Sequence, residues 1–594
     1  MARPSSDSTP YKVKLHINNG YRYASTRPMV VREDGSRYNR TIHWGTVTED
    51  LKFMPGREYL YASVEERRRL IFPEEWDMGE VERLESMRGP GRPSSSGCGD
   101  RNRLYGDIWL LERVAEATGI RRDLESVFDG NKEIVGDVLT LAMFPYVTGY
   151  NYNRVARWQE VAKSPSSRPL TPAAVTHLTQ SITEKHRMDL FSLRSARVGR
   201  GSLCALDSTT RTAYGESLAD IRWGRNKEGL SLPQTTEVVV YTLDDHMPIY
   251  YRTFPGNMPD ARTIDTIMAD LDDAGFRRDI VHITDRGYAS VKNIEKYIAE
   301  GRAAIMGVRT GWGPVLDRIR AFGRFGARPD GMALDTGSQK YCAQYDLPYT
   351  VIGHGGKEVK ADRLRINLYF DPVKRGQDQM RIDTEVAYQQ QALETLMAEG
   401  GEVDPMTLKE QYRYFAVTLC EDGRHVQKFE PDTKRYNDDL LQSGFFANLT
   451  LKLDTSAQQS LELYKWRDEQ EKYFMTMKST MCADRQRNWS EEGKTGRLFI
   501  LFVSLIIGSY LKNALKSDPV LCKKFPASTD LLDEMRPIRY IEHEGHQARI
   551  TPFVGNQLLI AERLGFAIPK GCETGCKSKQ PPKRRGRPRK NAIK

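Results

Sequence analysis

Apolar and polar positions change period several times along this chain, and each change marks an element. From Tyr11 to about residue 60 they alternate around turns such as Glu33-Asp34-Gly35, the pattern of a small β domain. From about 104 to 195 the period lengthens to that of helices, best carried by Leu104 to Leu124 and Lys132 to Met143. Thr171-Pro172 opens a further helix, with a hydroxyl to cap it and a proline in its first turn. Short apolar and β-branched runs follow. Leu203–Leu206, Glu237–Leu243 and Pro248–Thr253 read as strands, and Asp260–Ala274 reads as a helix entered through the turn Pro255-Gly256-Asn257. Asp279–Thr284 and Ala303–Val308 read as strands again. About 145 residues then intervene before the next strongly patterned helix, too many for a loop. An inserted domain is predicted there, with strands Arg365–Phe370 and Tyr412–Cys420 and a polar helix near Ile382–Ala398.

Two of these strands deliver acids. Leu203–Leu206 stops at Asp207, followed by Ser208, Thr209 and Thr210, which open a loop. The run Ile280–Thr284 ends at Asp285, and Gly287 permits a sharp exit from the strand. A lone Asp at a strand end is most often a turn former. Further along, Tyr464, Arg467, Glu471 and Lys478 fall at roughly 0°, 300°, 340° and 320° of helical rotation, one narrow stripe on a single helix. The ordinary reading of such a stripe is a solvated salt-bridge face. A carboxylate, a guanidinium, an ammonium and a phenol together also suit a different task, holding a divalent cation and a phosphate backbone.

The spacing Tyr-x2-Arg-x3-Glu-x6-Lys resembles the signature of a group of bacterial insertion-sequence DDE transposases. The resemblance covers roughly residues 200 to 515 and implies a ribonuclease-H-like catalytic core, in which the first and fourth strands lie side by side and bring both Asp residues to one end of the sheet. It implies Asp207, Asp285 and Glu471 as catalytic metal ligands. Tyr464, Arg467 and Lys478 would hold the DNA end and assist a hairpin intermediate. Hard oxygen donors without His or Cys select Mg²⁺ or Mn²⁺, two ions per site, suited to in-line displacement at phosphorus. A base is commonly flipped in such a step; Trp312, Trp466 and Phe445 are aromatics that could receive it, with nothing to choose among them. Related transposases also carry a largely β insertion between the second Asp and the Glu; the polar helix here departs from that pattern.

Charge changes the picture once it is located. The net charge is +10 over 594 residues, yet nine Lys or Arg and no acid lie between Lys577 and Lys594, so the rest of the chain is nearly neutral. Within that tail Arg585-Gly586-Arg587-Pro588 resembles an AT-hook. Gly586 lets the backbone approach the minor-groove floor, and Arg585 and Arg587 enter a narrow A·T groove. A plain basic tail bound only by counterion release is the competing reading. Eight scattered cysteines fit a reducing compartment, with Cys572 and Cys576 the only close pair. The amino terminus lacks a secretory pattern, and the most apolar stretch, Leu498–Leu511, has 14 residues, short of the ~20 a membrane-spanning helix needs. It is expected to be a buried helix backing the sheet.

The chain is therefore expected to be a multidomain α/β protein. Its predicted parts are a small β domain with a DNA-binding or a purely structural role (1–62), a linker and helical domain (63–200), a first core segment (201–309), an inserted mixed, partly β domain (310–453), a second core segment (454–520), a carboxy-terminal region (521–576) and the basic tail (577–594). The expected function is metal-dependent cleavage of terminal inverted repeats and their joining to target DNA. A homodimer in the DNA complex is expected, in the cytoplasm and nucleoid of a bacterium and away from membranes. Two other readings remain: a noncatalytic DNA-binding protein derived from a transposase, and a nuclease of the same fold that only hydrolyses.

Overall fold

The computed structural model describes residues 11–18, 21–31, 37–56, 58–59, 62, 64–81, 100–149, 151–213, 218–224, 232–322, 331–353, 356–467, 485–486, 490–543, 547–569 and 572. Glu471, Lys478, Cys576, Arg585, Gly586 and Arg587 lie outside the described residues. The chain divides into two compact units, Met1–Arg101 with Glu542–His546, and Asn102–Ile541 with Gln547–Lys594.

The first unit is built on an antiparallel meander of β1 (Lys14–Asn18), β2 (Tyr21–Thr26), β3 (Ile42–Val47) and β4 (Phe53–Pro55). Its core is aromatic: Phe53 packs against Tyr59, Phe72 and Trp76.

The second unit opens with helices α1 (Gly106–Ala117), α2 (Ile120–Val127), α3 (Lys132–Thr148), α4 (Pro172–Ser181) and α5 (Glu184–Ser195). The single helix expected over 104–124 is split. Gly119 takes a left-handed φ of 72°, and the space a side chain would fill is occupied by the Arg197 guanidinium. Asn131 caps α3 by accepting from the amides of Glu133 and Ile134, and Thr171 caps α4 by accepting from Ala174.

Ten of the strands that follow form one sheet. They are β5 (Leu203–Ala213), β6 (Gln234–Thr242), β7 (Pro248–Pro255), then helix α6 (Ile264–Asp273), β8 (Val281–Thr284), helix α7 (Val291–Ala299) and β9 (Ala303–Val308). Further on come β10 (Ala333–Asp335), β11 (Lys340–Asp346), β12 (Arg365–Phe370), the 28-residue helix α8 (Pro372–Glu399), β13 (Phe415–Leu419), β14 (Val426–Pro431) and β15 (Phe445–Leu451). Helix α9 covers 457–467, Arg485–Gln486 form β16, and α10 spans Glu491–Ser517. The spatial order is β7-β6-β5-β8-β9-β15-β12-β11-β10, with β16 beside the far end of β5. β7, β6 and β5 are antiparallel, whereas β5, β8 and β9 run parallel.

Three expectations change here. The segment 310–453 is not wholly a separate insertion, because β10, β11, β12 and β15 extend the main sheet beyond β9. A smaller body does form around α8, where Ile382 and Leu393 pack with Tyr414, Phe415 and Val426 against the β13–β14 hairpin. Second, the expected 412–420 strand starts only at Phe415, after the short helix Leu408–Gln411. Third, the apolar stretch 498–511 belongs to a helix of 27 residues, long enough to cross a membrane and holding an 18-residue window of mean hydropathy 1.9. Most of its apolar window is buried inside the fold, against α3, α4 and β7. Gly496 makes that closeness to α4 feasible: a Cβ there would lie 1.9 Å from the Thr179 carbonyl oxygen. Phe502 packs on Tyr251 of β7, with ring centroids 4.9 Å apart.

Candidate active site

Asp207 does not end its strand. β5 continues to Ala213, and Ser208 to Ala213 are all buried. The β-branched Thr209, Thr210 and Thr212 suit an extended backbone, and Arg211 is neutralised by Glu237 of β6 at 2.5 Å. What does end near Asp207 is the pairing with β8, whose last partners are Leu206 and Thr284. Asp207 and Asp285 are the next residue on each strand, at the point where the two part. Asp285 does end β8, as its sequence predicts. Gly287 does not turn through a left-handed conformation; its small size matters because a Cβ would meet Asp260 Oδ2 at 3.0 Å.

Side chains on a strand alternate between faces, so Asp207 shares a face with Ala205 and Asp285 with Ile283. Ala205, Ile283 and Ile305 form one apolar cluster, packed against Leu463 and Tyr464 of α9. Two residues beyond Ile305 on the same face of β9 is Gly307. Asp207, Asp285 and Gly307 thus make one row across three adjacent parallel strands, on the face that α9 covers.

The position of α9 is set by its start and by a buried polar network. Ser456 and Gln459 form a reciprocal cap: the Gln459 amide donates to Ser456 Oγ at 3.2 Å, and the Ser456 amide donates to Gln459 Oε1 at 2.9 Å. Asn367 Nδ2 on β12 donates to Asn448 Oδ1 on β15 at 2.8 Å, and Ser460 Oγ of α9 donates to the same oxygen at 3.0 Å. The Tyr369 hydroxyl donates to the Ala457 carbonyl at 2.8 Å. Buried groups satisfied in this way fix both distance and register.

So held, α9 brings two of the stripe residues to the second acid. The Tyr464 hydroxyl donates to Asp285 Oδ1 at 3.4 Å, and Arg467 Nη1 lies 3.8 Å from the same oxygen. The Arg467 guanidinium is buried and stacks over the Tyr464 ring, 5.2 Å from its centroid. Each acid also accepts from the amide after it, Ser208 N to Asp207 Oδ1 at 2.9 Å and Arg286 N to Asp285 Oδ1 at 2.6 Å. These bonds orient the carboxylates.

A third acid, Asp260, was not singled out by the sequence pattern. Its Oδ1 accepts from Ser208 Oγ at 2.9 Å. Beneath lies Tyr288, whose phenol is driven well above its ordinary range by burial, then by the neighbouring Asp260, with Asp207 and Asp285 adding to it. It stays neutral. Among the described residues no group of three or more His, Cys, Asp or Glu is gathered to hold a metal. Asp207 and Asp285 nonetheless provide two hard oxygen donors side by side, and such a pair fits Mg²⁺ or Mn²⁺ rather than zinc.

A cavity of about 470 Å³ opens beside Tyr464 and Gly307. Its cations Lys374, Arg381 and Arg413 are paired with Asp378, Glu385 and Asp439. Arg286 and Arg309 line it and make no ion pair among the described residues. Of the three aromatics, Phe445 is buried against Phe370 and Phe322, and Trp312 is partly buried at the start of the helix Gly313–Ala321. Trp466 is exposed and borders a separate cavity of about 360 Å³ with Leu243, Asp244 and His246. Cys572 is buried and its thiol lies 3.3 Å from the Ile550 carbonyl oxygen.

Residues 199–507 match the model of the transposase DDE domain, more than half of the chain. The chain belongs to that family, and the protein is a transposase. No curated protein sequence matches it. Among solved structures, the piggyBac transposase in a synaptic complex with hairpin DNA, seen by cryo-EM, is similar at 12% identity, over 73% of this chain and 70% of that one, with a TM-score of 0.32.

Proposed function

We propose that this protein binds the terminal inverted repeats of its own element, cleaves the DNA ends and joins them to target DNA. The observation that carries this reading is the row of Asp207 and Asp285 with Tyr464 and Arg467 laid over its second member. The strand order β7-β6-β5-β8-β9, three antiparallel strands followed by two parallel ones, supports a ribonuclease-H-like core. Asp207, Asp285 and Glu471 are the proposed ligands of two divalent ions. Ions held there would activate the attacking oxygen and stabilise the leaving one during in-line displacement.

The protein's own groups then have distinct tasks. Arg467 presents a planar fork suited to a phosphate of the DNA end, and Lys478 adds a point charge. Tyr464 fixes the end by hydrogen bonding, which favours strand transfer, through a hairpin or directly, over simple hydrolysis. The basic tail, read as an AT-hook through Arg585, Gly586 and Arg587, anchors A·T-rich DNA. Two ends need two sites, so the DNA complex is proposed to be a dimer.

The test is cleavage and strand transfer by purified protein on duplexes taken from the boundary of the element, in Mg²⁺ or Mn²⁺. Asp207→Ala, Asp285→Ala and Glu471→Ala should each abolish cleavage while leaving end binding largely intact. Ca²⁺ should support binding without turnover, because its looser, longer coordination suits the reaction poorly. Near-normal cleavage by Glu471→Ala would overturn the ligand set. Hydrolysis without joining would mark a nuclease, and binding without cleavage by the unaltered protein would mark a DNA-binding derivative.

A further inference from the structure

The row of Asp207, Asp285 and Gly307 has an acid on its first two strands and no side chain on its third. A Cβ built on Gly307 would lie 2.2 Å from the Tyr464 hydroxyl oxygen and 3.0 Å from Tyr464 Cζ. Real Cβ atoms do not approach oxygen so closely, so the phenol occupies the room that any larger residue would take. The φ of Gly307 is not left-handed, so the backbone there has no conformational need for glycine. The requirement comes from space.

We infer that Gly307 is a positioning residue: the missing side chain on β9 is the slot that admits the Tyr464 hydroxyl to Asp285 and holds it at the mouth of the adjoining cavity. The chain of contacts is short. Ile305 and Ile283 seat Tyr464 and Leu463 on the sheet, the α9 network sets the helix height, and Gly307 leaves room for the phenol hydroxyl beside β9. With alanine at 307 the ring must tilt or lift. The hydroxyl then leaves Asp285 Oδ1, and the Arg467 guanidinium stacked on the ring moves with it. Asp285 itself stays on β8. The effect should therefore fall on turnover at a bound end and not on the folding of the core.

This inference rests on the assignment of Asp285 and Tyr464 to the reacting centre, and the test separates the two. A double-mutant cycle compares the full-length protein, Gly307→Ala, Tyr464→Phe and the double variant, on thermal midpoint and on cleavage of element-boundary duplexes. Gly307→Ala should lower the cleavage rate at saturating DNA by about tenfold or more, since displacements near 1 Å are costly in such sites. Half-saturation by DNA should change by no more than about threefold, because the phosphate contacts other than those of Tyr464 and Arg467 remain in place. In the Tyr464→Phe background the same change should cost no more than about twofold further, the usual limit of additivity error. Rate losses that multiply would overturn the inference, as would cleavage by Gly307→Ala within about twofold of the full-length protein.

Gly307→Ala unfolds the site if the backbone there cannot yield, because its Cβ would also lie 2.9 Å from the Arg286 amide nitrogen. In that event Tyr464→Phe must restore the thermal midpoint, since it removes the nearer clash. If it does not, the collision is with the backbone and the inference fails. The thermal cycle needs no DNA, so it stands even if Asp285→Ala cleaves normally and the catalytic assignment falls.

Discussion

The Tyr464 hydroxyl donates to Asp285 across 179 residues of chain, at 3.4 Å. No local rule links these residues. One stands at the end of a parallel strand, and the other on a helix that follows five further strands of the same sheet. The contact shows that half of the helical stripe is directed at the second acid and not at solvent.

A first prediction concerns Arg467. Its guanidinium is buried, stacks on Tyr464 and lies 3.8 Å from Asp285. Arg467→Ala should lower cleavage by about 100-fold, typical for loss of one preorganised donor. Arg467→Lys should recover little of this, because an ammonium offers no planar fork and stacks poorly. Cleavage rates at saturating DNA check it, and full activity of Arg467→Lys would show that charge alone suffices.

The packing of α10 supplies a second. Gly496→Ala would drive a Cβ to 1.9 Å from the Thr179 carbonyl oxygen, which is backbone and cannot swing aside. Overpacking of this kind costs about 1–3 kcal/mol. Thermal unfolding should shift down accordingly. Gly313→Ala, where no atom lies within 4 Å, is the control and should leave the midpoint unchanged.

Acid stability tests the opposite face of β8. His282 is buried there, its Nδ1 2.7 Å from the Tyr297 hydroxyl, and burial pushes its pKa down to about 3, with Arg302 acting in the same direction. The folded protein therefore holds a neutral ring where the unfolded chain, titrating near 6.5, takes up a proton. Stability is fully present above about pH 6.5 and falls as pH drops towards 3, by up to about 1.4 kcal/mol per unit. His282→Gln should flatten that part of the profile. An unchanged slope between pH 6.5 and 4 in urea or thermal unfolding would count against it.

The tail yields a fourth. Removing 577–594 deletes nine positive charges and none of the proposed ligands. DNA binding should weaken and its salt dependence flatten, while metal-dependent cleavage of a saturating end persists. Arg585→Ala with Arg587→Ala should reproduce most of any lost A·T preference, and Lys583→Ala should cost a small, sequence-independent amount. Equal losses on A·T-rich and G·C-rich duplexes would reduce the tail to a nonspecific anchor.

Much of this was legible along the chain because it depends on near neighbours. The apolar runs around Ile283 and Val239 and the caps at Asn131 and Thr171 are local patterns, and so is the acid that ends β8. The sequence alone also put Tyr464 and Arg467 on one helical face. Tertiary structure decided the rest, because it turns on partners distant in sequence. β5 runs past Asp207 because β6 pairs with it as far as Thr212 and Glu237 neutralises Arg211. Four strands of the long intervening segment extend the sheet because β9 leaves an edge open for β15. The apolar stretch 498–511 is buried as its sequence predicts, but its partners α3, α4 and β7, and its place within a helix of 27 residues, come from the tertiary structure. Gly307 was silent in the sequence for the same reason: a missing side chain has meaning only beside the group that fills its place.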